Sequence, residues 1–324
     1  MKPRIYIDGQ AGTTGLSIRE RLAGREDLEL LSIEESRRKD PDARRELLSA
    51  ADVAILCLPD AASREAVELA EGAPTRFLDA STAHRVAEGW VYGLPELAPG
   101  QRDAIRAARR VANPGCYPTG VLLLLRPLLD SGVLGPDAPI CIHALSGYSG
   151  GGRQMIERWE SSAMGLTALP FEAPYALDRE HKHIAETTRY SGLAAPPAFV
   201  PAVGPFYAGM RTEIPLHRAL LGETGSAARV AEVLAERYRG EPFVRVELIE
   251  KASSDERAFD PERLNGTNRV DLAVIGNPLG HVLLIALLDN LGKGAAGAAV
   301  QNLNLMLGFD ERLGLDPTLD ARAA

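Results

Sequence analysis

The chain opens on an apolar run, Arg4 to Asp8, that meets a glycine-rich turn at Gly9 and then a helix-period stretch with Ile18, Leu22 and Ala23 on one side. Further short apolar runs follow at Leu28 to Ile33, Val53 to Leu58 and Phe77 to Asp79. The run from Val53 is of the kind that a parallel sheet buries on both faces. Stretches of helical character separate these runs, at 41–50 and 62–71. Strands alternating with helices predict an α/β Rossmann domain. After Cys116 the pattern changes. Residues 121–129 predict an apolar helix and 227–238 a second one, and longer β-like runs lie at 139–144, 199–201, 211–216, 243–249 and 269–275. This predicts an α+β second domain with a mostly antiparallel sheet. The last segment, 295–307, is rich in Ala, Val, Leu and Met and predicts a helix that packs back on the first domain. The expected division is 1–115 with 290–324 for the first domain and 116–289 for the second. Residues 194–197 and 222–225 read as loops inside the second domain, and the Ala-rich tail after Asp320 is expected to fray.

Composition narrows the class. A chain of 324 residues with 45% hydrophobic content has ample material for two cores. The net charge of −8, with no region of Lys/Arg excess, sets aside a nucleic-acid binder. Three cysteines, Cys57, Cys116 and Cys141, are too few and too scattered for a disulfide framework and suit a reducing compartment. The N-terminus begins on a strand pattern with no apolar signal region. No apolar run approaches the about 20 residues a bilayer span needs. The expectation is a soluble, cytoplasmic enzyme.

The first candidate site is Gly9-x-x-Gly12-Thr13-Thr14-Gly15 between the first strand and helix. Glycines there allow a tight turn and close approach of the backbone to a pyrophosphate, and the helix N-terminus adds free N–H groups and a favourable dipole. The end of the second strand chooses the dinucleotide, since an acidic side chain there favours the 2′-hydroxyl of NAD. Here Glu34 and Glu35 are followed by Ser36, Arg37, Arg38 and Lys39. Ser36, Arg37 and Arg38 are expected to hold the 2′-phosphate of NADP(H).

The second candidate is Cys116 in Asn113-Pro114-Gly115-Cys116-Tyr117-Pro118-Thr119-Gly120. Pro118 suits the first turn of a helix, which places the thiol at a helix N-terminus. Free N–H groups and the dipole there favour a thiolate, the species that attacks an activated acyl carbon. Cys57 and Cys141 sit in apolar strand patterns and read as buried structural thiols. About 30 residues on, Leu145 to Arg153 gathers Ser146, Ser149, three glycines and Arg153. Such a loop suits an oxyanion, an acyl phosphate or, at Gly150, the nicotinamide end of a cofactor.

A proton acceptor completes the chemistry. Among six histidines, His181-Lys182-His183 forms a cluster. On a helix His183 and Glu186 share a face, so the carboxylate can orient the ring, while His181 and His183 point roughly oppositely. His183 is therefore the expected base and Glu186 its orienter, with His181 as a substrate contact. A zinc site is the competing reading, but HxH is poorly placed on a helix and no second motif supplies ligands, so no metal is expected. His84, His143, His217 and His281 read as lone structural residues.

These segments resemble the N-acetyl-γ-glutamyl-phosphate reductase family, of the shorter type, within the aspartate-semialdehyde-dehydrogenase-like group. The resemblance covers nearly the whole chain and is carried by IDGQAGTTGLSI at 7–18, LDASTAHR at 78–85, YGLPEL at 92–97, NPGCYPTG at 113–120, SGYSGGGR at 146–153, HKH at 181–183 and DNLGKGAAGAAVQNLNLMLG at 289–308. It implies a glyceraldehyde-3-phosphate-dehydrogenase-like fold, with Cys116 as nucleophile and His183 and Glu186 in the family's HxHxPE pattern, where this chain has Ala185 for Pro. It also has Ala298 where many relatives have Gln. Ser81 and Asn290 are implied as cofactor contacts, and Asn113 and Ser146 as substrate contacts. The implied activity is reduction of N-acetyl-γ-glutamyl phosphate by NADPH, a step of arginine synthesis, in a homodimer or homotetramer. The same chemistry on aspartyl phosphate or carrier-linked aminoadipyl phosphate is the alternative. A non-catalytic nucleotide sensor is a further reading, and it predicts NADPH binding without turnover.

Overall fold

The computed structural model describes residues 1–178, 180–222, 225–251, 255 and 257–315. Glu223 and Thr224 of the expected 222–225 loop and the tail after Asp320 lie outside the described residues. In chain order the elements are β1 (Arg4–Asp8), α1 (Thr13–Leu22), β2 (Glu29–Leu31), α2 (Pro41–Ala50), β3 (Val53–Leu56), α3 (Asp60–Leu69), β4 (Arg76–Asp79), β5 (Val91–Tyr92), α4 (Gln101–Ala107), β6 (Arg110–Ala112), α5 (Cys116–Asp130), β7 (Cys141–Gly147), α6 (Gly152–Glu160), β8 (Ala173–Pro174), α7 (Ile184–Ser191), β9 (Ala198–Gly204), β10 (Met210–Leu216), α8 (Ala227–Arg237), β11 (Val244–Ile249), β12 (Val270–Gly276), β13 (Val282–Leu288) and α9 (Gly297–Leu307).

Two compact units divide this chain, one of Met1–Pro114 with the chain from Ala295 onward, the other of Gly115–Gly294. The first holds a parallel sheet in the order β2-β1-β3-β4-β6-β5. Both faces are covered, which explains the unbroken apolar run of β3. Ile5, Ile7, Val53 and Ile55 meet Ile18 and Leu22 of α1 and Val300 and Leu303 of α9. Tyr6, Ala54 and Leu56 meet Leu48 of α2 and Ala66 of α3. The chain passes from β1 to β2 on one side and returns to place β3 on the other, which opens a crevice at the carboxyl ends of β1 and β3. Helix α2 starts as its sequence dictates. Pro41 occupies the first helical position, and the Asp40 carboxylate accepts the N–H groups of Asp42 (3.0 Å) and Ala43 (3.3 Å).

The second unit holds a mixed sheet in the order β11-β12-β13-β10-β7-β9-β8. Pairing is antiparallel at β12/β13, β13/β10, β10/β7 and β9/β8, and parallel at β11/β12 and β7/β9. Helix α5 is buried from Tyr117 through Leu125. It lies close on the sheet at Gly120, where a Cβ would come 3.1 Å from Ala286 Cβ. Pro127 interrupts its hydrogen bonding by leaving the Leu123 carbonyl without its helical donor, and the buried Tyr238 hydroxyl donates to that carbonyl at 2.7 Å.

Several elements differ from expectation. The nucleophile candidate is itself the first residue of α5, which starts five residues before the predicted helix. Strand β13, central in its sheet, carries VLLIALL without alternation, because both of its faces are covered. The final helix is preceded by a π turn at Gly292–Ala296. His217 and His281 are not lone. Leu216 and Val282 are partners in the β10/β13 register, so the histidine rings flanking them meet in a tilted arrangement with centroids 4.4 Å apart. His143 sits beside Cys141 two residues away on the same strand face, Sγ to Nε2 3.7 Å.

Candidate active site

In the first unit the glycine turn fills the crevice between β1 and β3. Gly9 has φ +90°, and a Cβ there would fall 2.3 Å from the Cys57 carbonyl oxygen. A Cβ on Gly15 would meet the Gly9 carbonyl at 2.4 Å. Both positions therefore exclude any side chain. Gly12 caps α1 with no side chain of its own, so the first-turn N–H groups of Thr13 and Thr14 face outward from a bare backbone. A cavity of about 430 Å³ adjoins this turn and reaches Ile33, Arg38, Lys39 and Arg44. Arg44 is buried and already compensated, with Asp8 Oδ2 at 2.9 Å and Glu65 Oε2 at 3.2 Å. Arg38 pairs with Glu35. Lys39, the last residue of the basic cluster expected at the 2′-phosphate, reaches the same cavity. Ser36 and Arg37 do not line the cavity, and Arg37 is tied to Asp40 at 3.1 Å. A bare glycine cradle at a helix start, with cations at the far end of the crevice, fits a phosphorylated dinucleotide.

Ser81 and Asn113 lie in the same unit but are spent on local structure. Ser81 donates its hydroxyl to Asp79 Oδ2 at 2.8 Å and its N–H to Asp79 Oδ1 at 2.9 Å. The same carboxylate holds Ser63 (2.9 Å) and His84 (2.6 Å), and His84 stacks on Trp90 at 4.1 Å. Asn113 gives its amide to the Ala295 carbonyl and accepts from Asn302, each at 3.0 Å.

The second unit gathers the expected chemistry in one cavity of about 340 Å³, lined by Cys116, Ser146, Gly150, His181 and His183 and also by Tyr117, Met155, Tyr175, Glu180 and Lys182. Cys116 is half-buried at the first position of α5. The preceding Gly115 is extended (φ −74°, ψ 155°), and its N–H donates to Glu186 Oε2 at 3.1 Å. Its carbonyl accepts from Thr119 N at 3.0 Å and Thr119 Oγ1 at 2.9 Å. Pro118 falls in the first turn, where its missing N–H has no intrahelical partner to lose. The turn that carries the sulfur is thus fixed on both sides.

The histidines do not lie within one helix. Helix α7 begins at Ile184, with His183 as its cap, so His181 and Lys182 belong to the turn before it. The expectation that the two rings point oppositely is corrected by that turn. They meet edge to face at 4.8 Å, and both face the cavity. His181 Nδ1 accepts the N–H of His183 at 3.2 Å, so in the neutral ring its Nε2 carries the proton, toward Tyr175 Oη at 3.2 Å. Tyr175 donates in turn to Tyr117 Oη (3.5 Å), and Tyr117 donates to the Ala202 carbonyl (3.3 Å). This chain of donors runs in one direction and engages both nitrogens of His181. Burial, first of all, pushes the Tyr117 hydroxyl well above its ordinary value and the Tyr175 hydroxyl up to about 12. Glu186 Oε1 stands 4.0 Å from His183 Nε2, beyond hydrogen-bond reach.

Gly147 and the Ser149 loop are held from below. Asn290 accepts from Gly209 N at 2.7 Å and donates to Ser149 Oγ at 3.0 Å, which commits its buried amide to that loop. Arg153 faces solvent with Glu157 at 2.7 Å, because α6 begins at Gly152 and turns it outward. Sequence reasoning passed over Tyr117, Tyr175 and Glu180. Tyr117 adjoins Cys116 in the chain, which is signal enough to find it. Tyr175 has no periodic or spacing signal, and it follows a two-residue strand beside Ala176, which has φ +52°.

Comparison with known proteins follows the same two units. Residues 14–108 match the NAD binding domain of semialdehyde dehydrogenases, and residues 116–290 match the semialdehyde dehydrogenase dimerisation domain. Among solved structures, aspartate semialdehyde dehydrogenase II from Vibrio cholerae, complexed with ASA, superposes with a TM-score of 0.68 at 17% identity over 95% of this chain and 99% of that one. Aspartate semialdehyde dehydrogenase from Francisella tularensis gives 0.70 at 14% identity over 94% and 100%. These two share the fold. In sequence, N-acetyl-gamma-glutamyl-phosphate reductase 2 of Nostoc sp. is 52% identical over 97% of this chain and 99% of its own length. The N-acetyl-gamma-glutamyl-phosphate reductase of Brucella anthropi is 51% identical over 95% and 99%. With such identity along nearly its whole length, the chain belongs to the N-acetyl-gamma-glutamyl-phosphate reductase family of semialdehyde dehydrogenases.

Proposed function

We propose that this chain reduces N-acetyl-γ-glutamyl phosphate to N-acetylglutamate 5-semialdehyde with NADPH, through a thioacyl intermediate on Cys116, as a step of arginine biosynthesis. The observation that carries the reading is the seating of Cys116 at the first turn of α5, in one cavity with His181 and His183. A thiolate at a helix start is stabilised by the free N–H groups and the dipole. It attacks the acyl carbon, the C–O bond to phosphate breaks, and phosphate leaves with the bonding pair. Gly9, Gly12 and Gly15 hold the pyrophosphate of the cofactor and Arg38 and Lys39 its 2′-phosphate, and NADPH bound there supplies the hydride. His183 supplies the proton that the reduced carbonyl oxygen takes up, and receives it back when the hemithioacetal collapses to aldehyde and thiolate. Glu186 favours the protonated ring at that stage.

His181 keeps both nitrogens engaged within the protein, which leaves the proton transfer to His183, and its ring lines the cavity as a substrate contact. Ser146 and Gly150 line the same cavity on its other wall, where a developing oxyanion or the leaving phosphate is accommodated. The dimerisation-domain match supports a homo-oligomer, proposed as a dimer or tetramer. Three free cysteines suit a reducing cytoplasm. No helix among the described residues is long and apolar enough to cross a membrane.

The deciding experiment is phosphate-dependent oxidation of N-acetylglutamate semialdehyde beside aspartate semialdehyde, with NADP as acceptor. Preference for the acetylated substrate is expected. Preference for aspartate semialdehyde would transfer the chemistry to aspartyl phosphate.

A further inference from the structure

The closing segment contains a feature that the mechanism does not use. Lys293 has no exposed surface, and its ammonium lies 5.6 Å from the centre of the buried Phe243 ring. It belongs to the π turn Gly292–Ala296. A π turn adds one residue to a helical winding and swings every following side chain round, and such turns gather at functional sites. Here the next residue is Gly294. An ideal Cβ on Gly294 would lie 2.8 Å from Cys116 Cβ, closer than a real side chain comes, and in tight contact with Leu288 Cδ1 at 3.2 Å. The Gly294 N–H is fixed on the Asp289 carbonyl at 3.0 Å. The bare face of Gly294 is therefore the seat of the Cys116 side chain. A buried ammonium is costly to keep, and an aromatic face compensates it in part.

We propose that Lys293 is a positioning residue for Cys116: anchored over Phe243, it holds the π turn that sets the bare face of Gly294 against the nucleophile. The consequence for turnover rests on the reading of Cys116 as nucleophile. The consequence for the geometry and reactivity of the thiol does not. Winding as an ordinary α-helix would carry Gly294 off the Cys116 side chain and leave the sulfur with more than one position. Misplacement of a reacting atom by an ångström costs about 100-fold in rate.

The test uses the full-length enzyme and two readouts, the pH dependence of Cys116 alkylation by iodoacetamide, followed by mass spectrometry of its peptide, and kcat against KM. Lys293→Met is expected to shift the alkylation profile and to lower kcat by about 100-fold with little change in the KM for NADPH, while Lys293→Arg restores part of both. If Lys293→Met does not fold, Phe243→Leu leaves the turn its lysine and removes the aromatic contact. It is expected to produce the same alkylation shift in smaller measure. Unchanged alkylation and kcat in a folded Lys293→Met, or in Phe243→Leu where that is the folded variant, would overturn the proposal. Cys116→Ser run in parallel separates the two claims. Full turnover in that variant removes Cys116 as nucleophile, and the alkylation profiles still decide the role of Lys293.

Discussion

The Glu186 carboxylate accepts the N–H of Gly115, the residue before Cys116, at 3.1 Å, while its other oxygen stands 4.0 Å from His183 Nε2. One buried side chain thus ties the turn that carries the thiol to the histidine proposed to handle the proton. The two duties separate by substitution. Glu186→Gln retains an oxygen for Gly115 N–H and loses the charge near His183. It is expected to keep its melting temperature and to lose about 10–100-fold in kcat, since general acid–base catalysis contributes about 10²–10⁴. Glu186→Ala in addition leaves a buried N–H without its acceptor, which costs about 1–3 kcal/mol. Thermal melts beside steady-state kinetics check both. Equal melting temperatures for the two variants would show that the Gly115 bond holds nothing.

Cys116→Ser keeps a hydroxyl at the start of α5, but one far less acidic than a thiol, and the proposed route needs the thiolate as nucleophile. Reduction is expected to fall below detection, while NADPH still quenches or transfers fluorescence on binding. Turnover near wild type in this variant would remove the thioacyl route altogether.

The two histidines are distinguished by what already binds them. His181 accepts a backbone N–H on Nδ1 and faces Tyr175 with Nε2, so taking up a proton would break a bond it makes. His183→Ala is accordingly expected to lower kcat by about 10²–10⁴-fold. His181→Ala should act mainly on the KM for the acyl phosphate. Single-turnover kinetics that rank them the other way would exchange their roles.

Cofactor choice is expected to rest on Arg38 and Lys39, which reach the cavity beside the glycine turn. Arg37, tied to Asp40, does not. Replacing Arg38 and Lys39 together with Ala should weaken NADPH by more than tenfold and NADH little, a difference of about 1.4 kcal/mol or more. Arg37→Ala should leave both nearly unchanged. Titration of the free enzyme by fluorescence reads this without turnover, and equal losses for the two dinucleotides would reject the 2′-phosphate assignment.

Much of this was readable before any coordinates, for reasons that vary by residue. Helix α2 has its start written in Asp40 and Pro41, and the sequence expectation of 41–50 coincides with the element. The glycine turn was readable because Gly9 and Gly15 admit no side chain, and that constraint is chemical and local. Cys116 stood out through its Pro and Gly neighbours, which mark a sharp turn before a helix. The failures are long-range. His181 and His183 were placed on one helix from spacing alone, yet α7 starts after them, and both rings face the same cavity. Strand β13 has no alternation because packing on both faces erased it. His217 and His281 meet only through a strand register set 60-odd residues apart. Tyr175 enters the cavity from a short strand whose partner, β9, lies further along the chain.

Tyr175 links the site to stability at alkaline pH. Burial holds its hydroxyl up at about 12, against an ordinary value near 10, with the Cys116 charge adding to the rise and the Tyr117 hydrogen bond opposing it. The folded state therefore binds this proton more tightly than the unfolded chain does. Its contribution to stability is complete below about pH 10 and is lost as the pH rises from there to about 12. Ionisation in that window would also remove the donor that Tyr175 offers to Tyr117 and so break the run of bonds ending on the Ala202 carbonyl. The melting temperature of the wild-type enzyme is expected to fall between pH 9.5 and 11.5, and Tyr175→Phe should make that fall shallower while raising the KM for the acyl phosphate through His181 (pH limits set about the ordinary and raised values). Melts taken across this range, with exposed Tyr207→Phe as a control outside the cavity, decide the matter. A slope in Tyr175→Phe as steep as in the wild type would mean that the alkaline limb belongs to other buried hydroxyls and thiols, Tyr6 and Cys57 first among them, both of which burial also pushes up.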